Sequence, residues 1–266
     1  MRPDGRSILL TKPWRATSRR LPRDHAQRNS QTGLNPRMTT SKQISVLLAE
    51  DHAIVRQGLS ALLNRDGHLK IVGEARTGRE AVELAESLRP DVILMDIAMP
   101  VLNGLEATRQ ILGANAAAKI IILSAHSDDE YVERTTAAGV VGFLEKQTSA
   151  EILTKAISEV AKGNKYFSPS ITKRLPQERG KIRGRDGFVK RAGIRPLTSR
   201  ESEVLQLVAE GSANKQVADS LGISIKTVEK HRQHLMDKLN IHDTAGLTRY
   251  AISAGVIESS VQLTIV

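Results

Sequence analysis

Between residues 44 and 163, short apolar runs alternate with stretches whose apolar residues recur every three or four positions. The first run, Val46, Leu47 and Leu48, ends in the acidic pair Glu50-Asp51. Others fall at Ile71-Val72, Val92 to Met95, Ile120 to Leu123 and Val140 to Leu144. Between them, Val55, Leu59, Leu62 and Leu63 share one helical face, and Glu80 to Leu88, Leu105 to Leu112, Asp129 to Ala138 and Ala150 to Ala161 repeat the helical period. Runs apolar at every position predict strands buried on both faces, as parallel sheets require. Five strands alternating with five helices predict an α/β domain over 42–163 with a parallel five-stranded sheet between two helical layers. Thr148-x-x-Glu151 reads as a capping box for its last helix.

The pattern then breaks. Residues 164–195 carry Pro169, Pro176, four glycines and a dense basic run, the composition of an interdomain linker. Order returns at Leu197, giving a small all-α domain over 196–261. Thr198-x-x-Glu201 opens a helix that buries Val204, Leu205 and Val208. A short helix through Val217 and Leu221 meets the turn Gly222-Ile223-Ser224, and Ser224 is placed to cap a longer helix to about Leu239. Two helices joined by a three-residue, glycine-containing turn form a helix-turn-helix pattern. A last helix offers Leu247, Ala251 and Val256 either to this core or to a dimer surface.

Aromatic residues are only 3% of the chain, so both cores must be aliphatic. The absence of cysteine removes disulfides and thiol chemistry and fits a cytoplasmic protein. No run approaches the eighteen or so apolar residues of a membrane span. The net charge of +10 is unevenly placed: +7 over residues 1–37, −4 over 38–148, +8 over 149–195 and −1 over 196–266. Charge alone is therefore a weak pointer to nucleic acid, because the excess lies outside both domains. Residues 1–41 are expected to be a disordered basic extension, with Met38 as an alternative natural start.

In an open parallel sheet, chemistry gathers at the carboxyl ends of the strands. Glu50 and Asp51 fall there after the first strand and Asp96 after the third, while Ser124 ends the fourth and Lys146 the fifth. Clustered carboxylates repel, and a hard divalent cation relieves them; Mg2+ suits such a site. A carboxylate nucleophile, a magnesium site, a hydroxyl and an ammonium together describe phosphoryl transfer to aspartate. A dinucleotide site would need G-x-G-x-x-G after the first strand, which is absent. An aspartate-nucleophile phosphatase would usually carry a second aspartate where Ala98 stands, so no enzyme is expected.

The segments LLAEDHAIVRQGL, DVILMDIAMPVLNG, IIILSAHSDDEYV and GFLEKQTSAEIL resemble the four signatures of receiver domains. The segment from Leu197 to Ile241 resembles the LuxR-type helix-turn-helix, and the whole chain resembles two-component response regulators of the NarL/FixJ group. The resemblance implies a flavodoxin-like (βα)5 receiver in which Asp96 accepts a phosphoryl group from a sensor histidine kinase. It implies Mg2+ on Glu50, Asp51, Asp96 and the Ala98 carbonyl. It also implies that Ser124 and Lys146 hold the phosphoryl oxygens, that Phe143 reorients with Ser124, and that the phosphorylated chain is a homodimer. Gln147 stands where many receivers have proline.

Independently of that likeness, burying Val228 and Leu235 leaves Lys226, Lys230 and Gln233 on the opposite helical face, suited to base edges in a major groove. Thr227, His231 and Arg232 are candidates for contacts to the phosphates of double-stranded DNA, and His231 is equally a candidate for structural packing. The pattern usually carries serine where Ala213 stands, which leaves Ser212 or Asn214 to cap the short helix.

Overall fold

A computed structural model describes residues 43–125, 129–173 and 197–257. The basic extension and most of the linker lie outside the described residues. The first domain runs β1 (Ile44–Ala49), α1 (Ala53–Asn64), β2 (Leu69–Ala75), α2 (Gly78–Leu88), β3 (Val92–Met95), α3 (Gly104–Ala114), β4 (Ile120–Ser124), α4 (Asp129–Ala138), β5 (Gly142–Glu145) and α5 (Ala150–Ala161). Two short elements follow, β6 (Tyr166–Phe167) and α6 (Pro169–Thr172). The sheet is parallel throughout, in the order β2-β1-β3-β4-β5-β6.

The apolar runs are continuous because each face of the sheet meets its own core. Along β1, Leu47 and Ala49 enter the layer with α2, α3 and α4, where Ala81, Ile111 and Val132 pack. Val46 and Leu48 enter the opposite layer with α1 and α5, where Leu63, Leu153 and Ile157 pack. Alternation therefore exists, but both alternate sets are apolar.

The structure adds to the expected sheet at its far edge. Tyr166 and Phe167, in the segment expected to be linker, pair in parallel with Gly142 and Phe143. Ile171 then packs into the receiver core. Seven of these ten residues from 164 are polar, proline or glycine, so the composition hid a short strand and one helical turn. The α5 cap also moves by one residue: Ser149, not Thr148, accepts from the Ile152 amide at 3.4 Å.

The second domain holds α7 (Ser199–Ala209), α8 (Asn214–Leu221), α9 (Ile225–Leu239) and α10 (Thr244–Ser253) around Val204, Leu205, Val217, Val228, Leu235, Leu247 and Ala251, all buried. Leu247 and Ala251 thus serve this core. Thr198 caps α7 through the expected reciprocal box, and Lys238 binds its Glu201 at 2.5 Å. Gly222 ends α8 at φ +63°, a left-handed conformation that suits glycine, and Ser224 then caps α9. Neither Ser212 nor Asn214 caps α8. Ala213 occupies that position, and the Gln216 side chain accepts from its amide at 2.8 Å instead. Among the described residues no helix is long and apolar enough to cross a membrane.

Replacing Thr198 by alanine removes one half of the α7 box and is expected to cost about 1 kcal/mol. Calorimetry of the full chain should show the transition of the second domain lowered by a few degrees, with the first domain unchanged.

Candidate phosphoryl-transfer site and DNA-reading helix

Strand register brings the predicted acidic residues together. Ala49 pairs with Met95, and the Asp96 amide donates to the Ala49 carbonyl at 2.9 Å, so Glu50 and Asp96 leave adjacent strands side by side. Ser124 pairs with Glu145, and the Lys146 amide donates to the Ser124 carbonyl at 2.8 Å. Five predicted residues therefore share one rim, with Asp96 only 2% and Ser124 only 3% exposed.

The Lys146 ammonium joins them. Its Nζ lies 2.9 Å from Asp96 Oδ2 and 2.9 Å from Glu50 Oε2. The other Asp96 oxygen accepts from the Ile97 amide at 2.8 Å. Burial and the neighbouring Asp96 push the Glu50 carboxyl above its ordinary value. Burial works against the Lys146 ammonium, yet Asp96 and Glu50 outweigh it and raise its pKa. The ordinary behaviour of a buried lysine is reversed by two anions.

Asp51 sits at the mouth, half-buried, and Ala98 is half-buried in the loop after β3. Both line a cavity of about 520 Å3 with His52, Met99, Glu210 and Val256. Apart from ion pairing to Lys146 and His52, the buried oxygens Glu50 Oε2, Asp51 Oδ1 and Asp96 Oδ2 accept no hydrogen bond. Oxygen atoms left in that state fit a hard divalent cation with oxygen ligands. Phe143 is fully buried in β5, paired with Ile122.

Two residues escaped the sequence reading. His52 Nδ1 lies 2.8 Å from Asp51 Oδ1, and His52 belongs with Glu50, Asp51 and Asp96 to a group whose ligand atoms lie within 4.8 Å of one another. Its adjacency to Asp51 was the available signal. Arg56, 7% exposed, donates from Nη1 to the carbonyls of Glu50 at 2.8 Å and Asp51 at 3.1 Å. An arginine facing inward from α1 has no simple signature in sequence. It fixes the acidic turn from beneath.

Gly104 holds the loop after Asp96 close. A Cβ there would lie 1.8 Å from the Asp96 carbonyl oxygen, so only glycine lets α3 begin where it does. Asn103 caps that helix by accepting from the Glu106 amide at 2.9 Å.

On α9, Lys226, Lys230 and Gln233 are exposed on one face, as the spacing predicts. Thr227 is half-buried and its hydroxyl lies 2.8 Å from that of Ser224, within the helix cap. His231 is half-buried. Arg232 turns inward: it donates to Asn214 Oδ1 at 2.8 Å and to Thr244 Oγ1 at 3.2 Å, tying α9 to α8 and α10. Its guanidinium is engaged within the domain.

The raised Glu50 pKa carries a pH signature for the metal-free chain. Between the ordinary value and the raised one, the folded state binds more protons than the unfolded state, so stability falls as pH rises. Chemical unfolding in chelator at about pH 5 and about pH 8 should therefore show a smaller loss for Glu50→Gln than for the parent.

Both domains match known protein families. Residues 46–158 match the model of the response regulator receiver domain, and residues 195–251 match that of the bacterial regulatory proteins of the luxR family. The chain is 34% identical over 235 residues to the transcriptional regulatory protein DegU of Brevibacillus brevis, covering 85% of this chain and 99% of that one. It is 36% identical over 220 residues to the transcriptional regulatory protein MctR of Rhizobium johnstonii, covering 83% and 98%. Among solved structures, a LuxR-family two-component response regulator from Aurantimonas sp. SI85-9A1 is 31% identical, covering 50% of this chain and 96% of that chain with a TM-score of 0.49. The chain belongs to the two-component response regulators that join a receiver domain to a LuxR-type DNA-binding domain.

Proposed function

We propose that Asp96 is the phosphoacceptor of a cytoplasmic transcription regulator whose DNA binding is set by its phosphorylation. The observation that carries this reading is the buried Asp96 carboxylate, held 2.9 Å from Lys146 beside Glu50, with an Oδ2 that accepts no hydrogen bond beyond that ion pair. A sensor histidine kinase is the expected donor. A carboxylate oxygen of Asp96 bonds to phosphorus as the phosphorus–nitrogen bond to the kinase imidazole breaks, and that nitrogen takes up a proton. Glu50, Asp51, Asp96 and the Ala98 carbonyl would hold Mg2+, which supplies positive charge against the phosphoryl oxygens.

The other residues then have defined work. Lys146 already lies against Asp96 and carries the charge to meet a phosphoryl oxygen. Ser124, at the end of β4, offers its hydroxyl to a second oxygen, and Phe143 repacks as Ser124 moves. Repacking reaches the second domain, where two copies of α9 grip a two-part site as a homodimer. Lys226, Lys230 and Gln233 read base edges, and Thr227 and His231 reach phosphates from the same helix. Arg232 supports them by fixing α9 against its neighbours. The reading is a switch and not a turnover enzyme.

Incubation with acetyl phosphate and magnesium should place one labile acyl phosphate on Asp96, detected by borohydride trapping and peptide mapping. Asp96→Asn or removal of magnesium should abolish it; label on another residue contradicts the assignment. In mobility shifts, Lys226→Ala with Lys230→Ala should weaken promoter binding by at least about 1–3 kcal/mol and flatten its salt dependence.

A further inference from the structure

His52 follows the acidic pair Glu50-Asp51 and turns its ring back toward it. Its Nδ1 lies 2.8 Å from Asp51 Oδ1 and 3.3 Å from Glu50 Oε1. Asp51 Oδ1 nevertheless accepts no hydrogen bond among the described residues. The imidazole nitrogen and that carboxylate oxygen therefore stand side by side, each with a lone pair to offer. Two ligands set at right angles, each about 2.0–2.1 Å from one ion, stand about 3 Å apart. The two separations from Nδ1 bracket that value.

The rest of the rim is arranged to accept such an ion. One ligand atom from each of Glu50, Asp51, His52 and Asp96 lies within 4.8 Å of every other. Opposite ligands of one ion would stand about 4.2 Å apart, so small side-chain rotations close the set. Three carboxylates share the Lys146 ammonium, which leaves two negative charges for a divalent ion to balance. Arg56 is balanced by Glu74 at 3.5 Å, and it holds the Glu50 and Asp51 carbonyls in place. Asp51 and His52 line the cavity of about 520 Å3 described above, and the His52 side chain is 66% exposed. The backbone that presents the donors is thus fixed, while the ring is free to turn.

The donor set decides which ion gains. Mg2+ takes oxygen ligands and keeps several waters, so an imidazole adds little to its binding. Imidazole nitrogen suits Zn2+ and Ni2+, and the same site binds them more tightly than the harder ions.

We propose that His52 is a metal ligand, through whose imidazole nitrogen the rim takes a borderline divalent ion such as Zn2+ in competition with Mg2+. This rests on the reading that Glu50, Asp51 and Asp96 hold a divalent cation. Mg2+ leaves the ring unbound, whereas Zn2+ recruits it.

The test titrates the chelator-stripped full chain with Zn2+ and, separately, with Mg2+ in a calorimeter. Even the outer partners of metal ligands are worth roughly 10–100-fold in affinity, so His52→Ala and His52→Gln should each weaken Zn2+ by at least about tenfold. Mg2+ affinity should move by less than about twofold in both. Asp51→Asn should weaken both ions, and excess Mg2+ should weaken apparent Zn2+ binding to the parent. With Co2+ as the probe, a contact-shifted exchangeable ring N–H signal should appear in the parent and be missing from both His52 variants. Unchanged Zn2+ affinity in the His52 variants, or an equal loss for both ions, overturns the assignment. Zn2+ binding that neither Asp51→Asn nor Mg2+ disturbs lies at another site and overturns it as well. If the parent takes up no divalent ion at Asp51 and Asp96, the cation site itself fails, and the role of His52 with it.

Discussion

The Lys146 ammonium stands 2.9 Å from carboxylates of two different strands, Glu50 after β1 and Asp96 after β3. Without it, two buried carboxylates would face each other at one edge of the sheet with no cation between them. The surroundings keep the three in place. Arg56 ties down the Glu50-Asp51 turn through its carbonyls, and the β4–β5 register delivers Lys146 beside Ser124. Gly104 lets α3 start against the Asp96 carbonyl. A parallel sheet covered on both faces supplies the rigidity, and its carboxyl-end loops carry the chemistry.

From that rim the path to the second domain is short. Asn103 lies seven positions after Asp96, and the far end of this stretch is held by α7. Val101 within it adopts φ +69°, a strained conformation for a β-branched residue. Switching needs an element whose balance both the chemistry and the partner domain can bias.

Much of this was legible in the residues. Strand ends after apolar runs located Glu50, Asp51, Asp96, Ser124 and Lys146 before any register was known, because period and run length fix where a buried strand stops. The exposed face of α9 followed from Val228 and Leu235 in the same way. What was missed depends on side-chain direction and long-range contact. Thr148 and Ser149 both cap well, and only backbone geometry separates them. Arg232 has the spacing of a surface arginine yet finds Asn214 and Thr244. Gln206 and Glu203 read as polar positions on an amphipathic helix, while their partners lie about a hundred residues earlier. The β6 strand of two residues is too short for any period to register.

The central claim is that charge added at Asp96 changes how the second domain meets DNA. Fluorescence anisotropy on one promoter duplex at fixed salt measures this directly, comparing the chain phosphorylated, unphosphorylated and as Asp96→Asn under the same phosphodonor. The account predicts binding about tenfold or more tighter for the phosphorylated parent alone. Equal affinities for all three would contradict it.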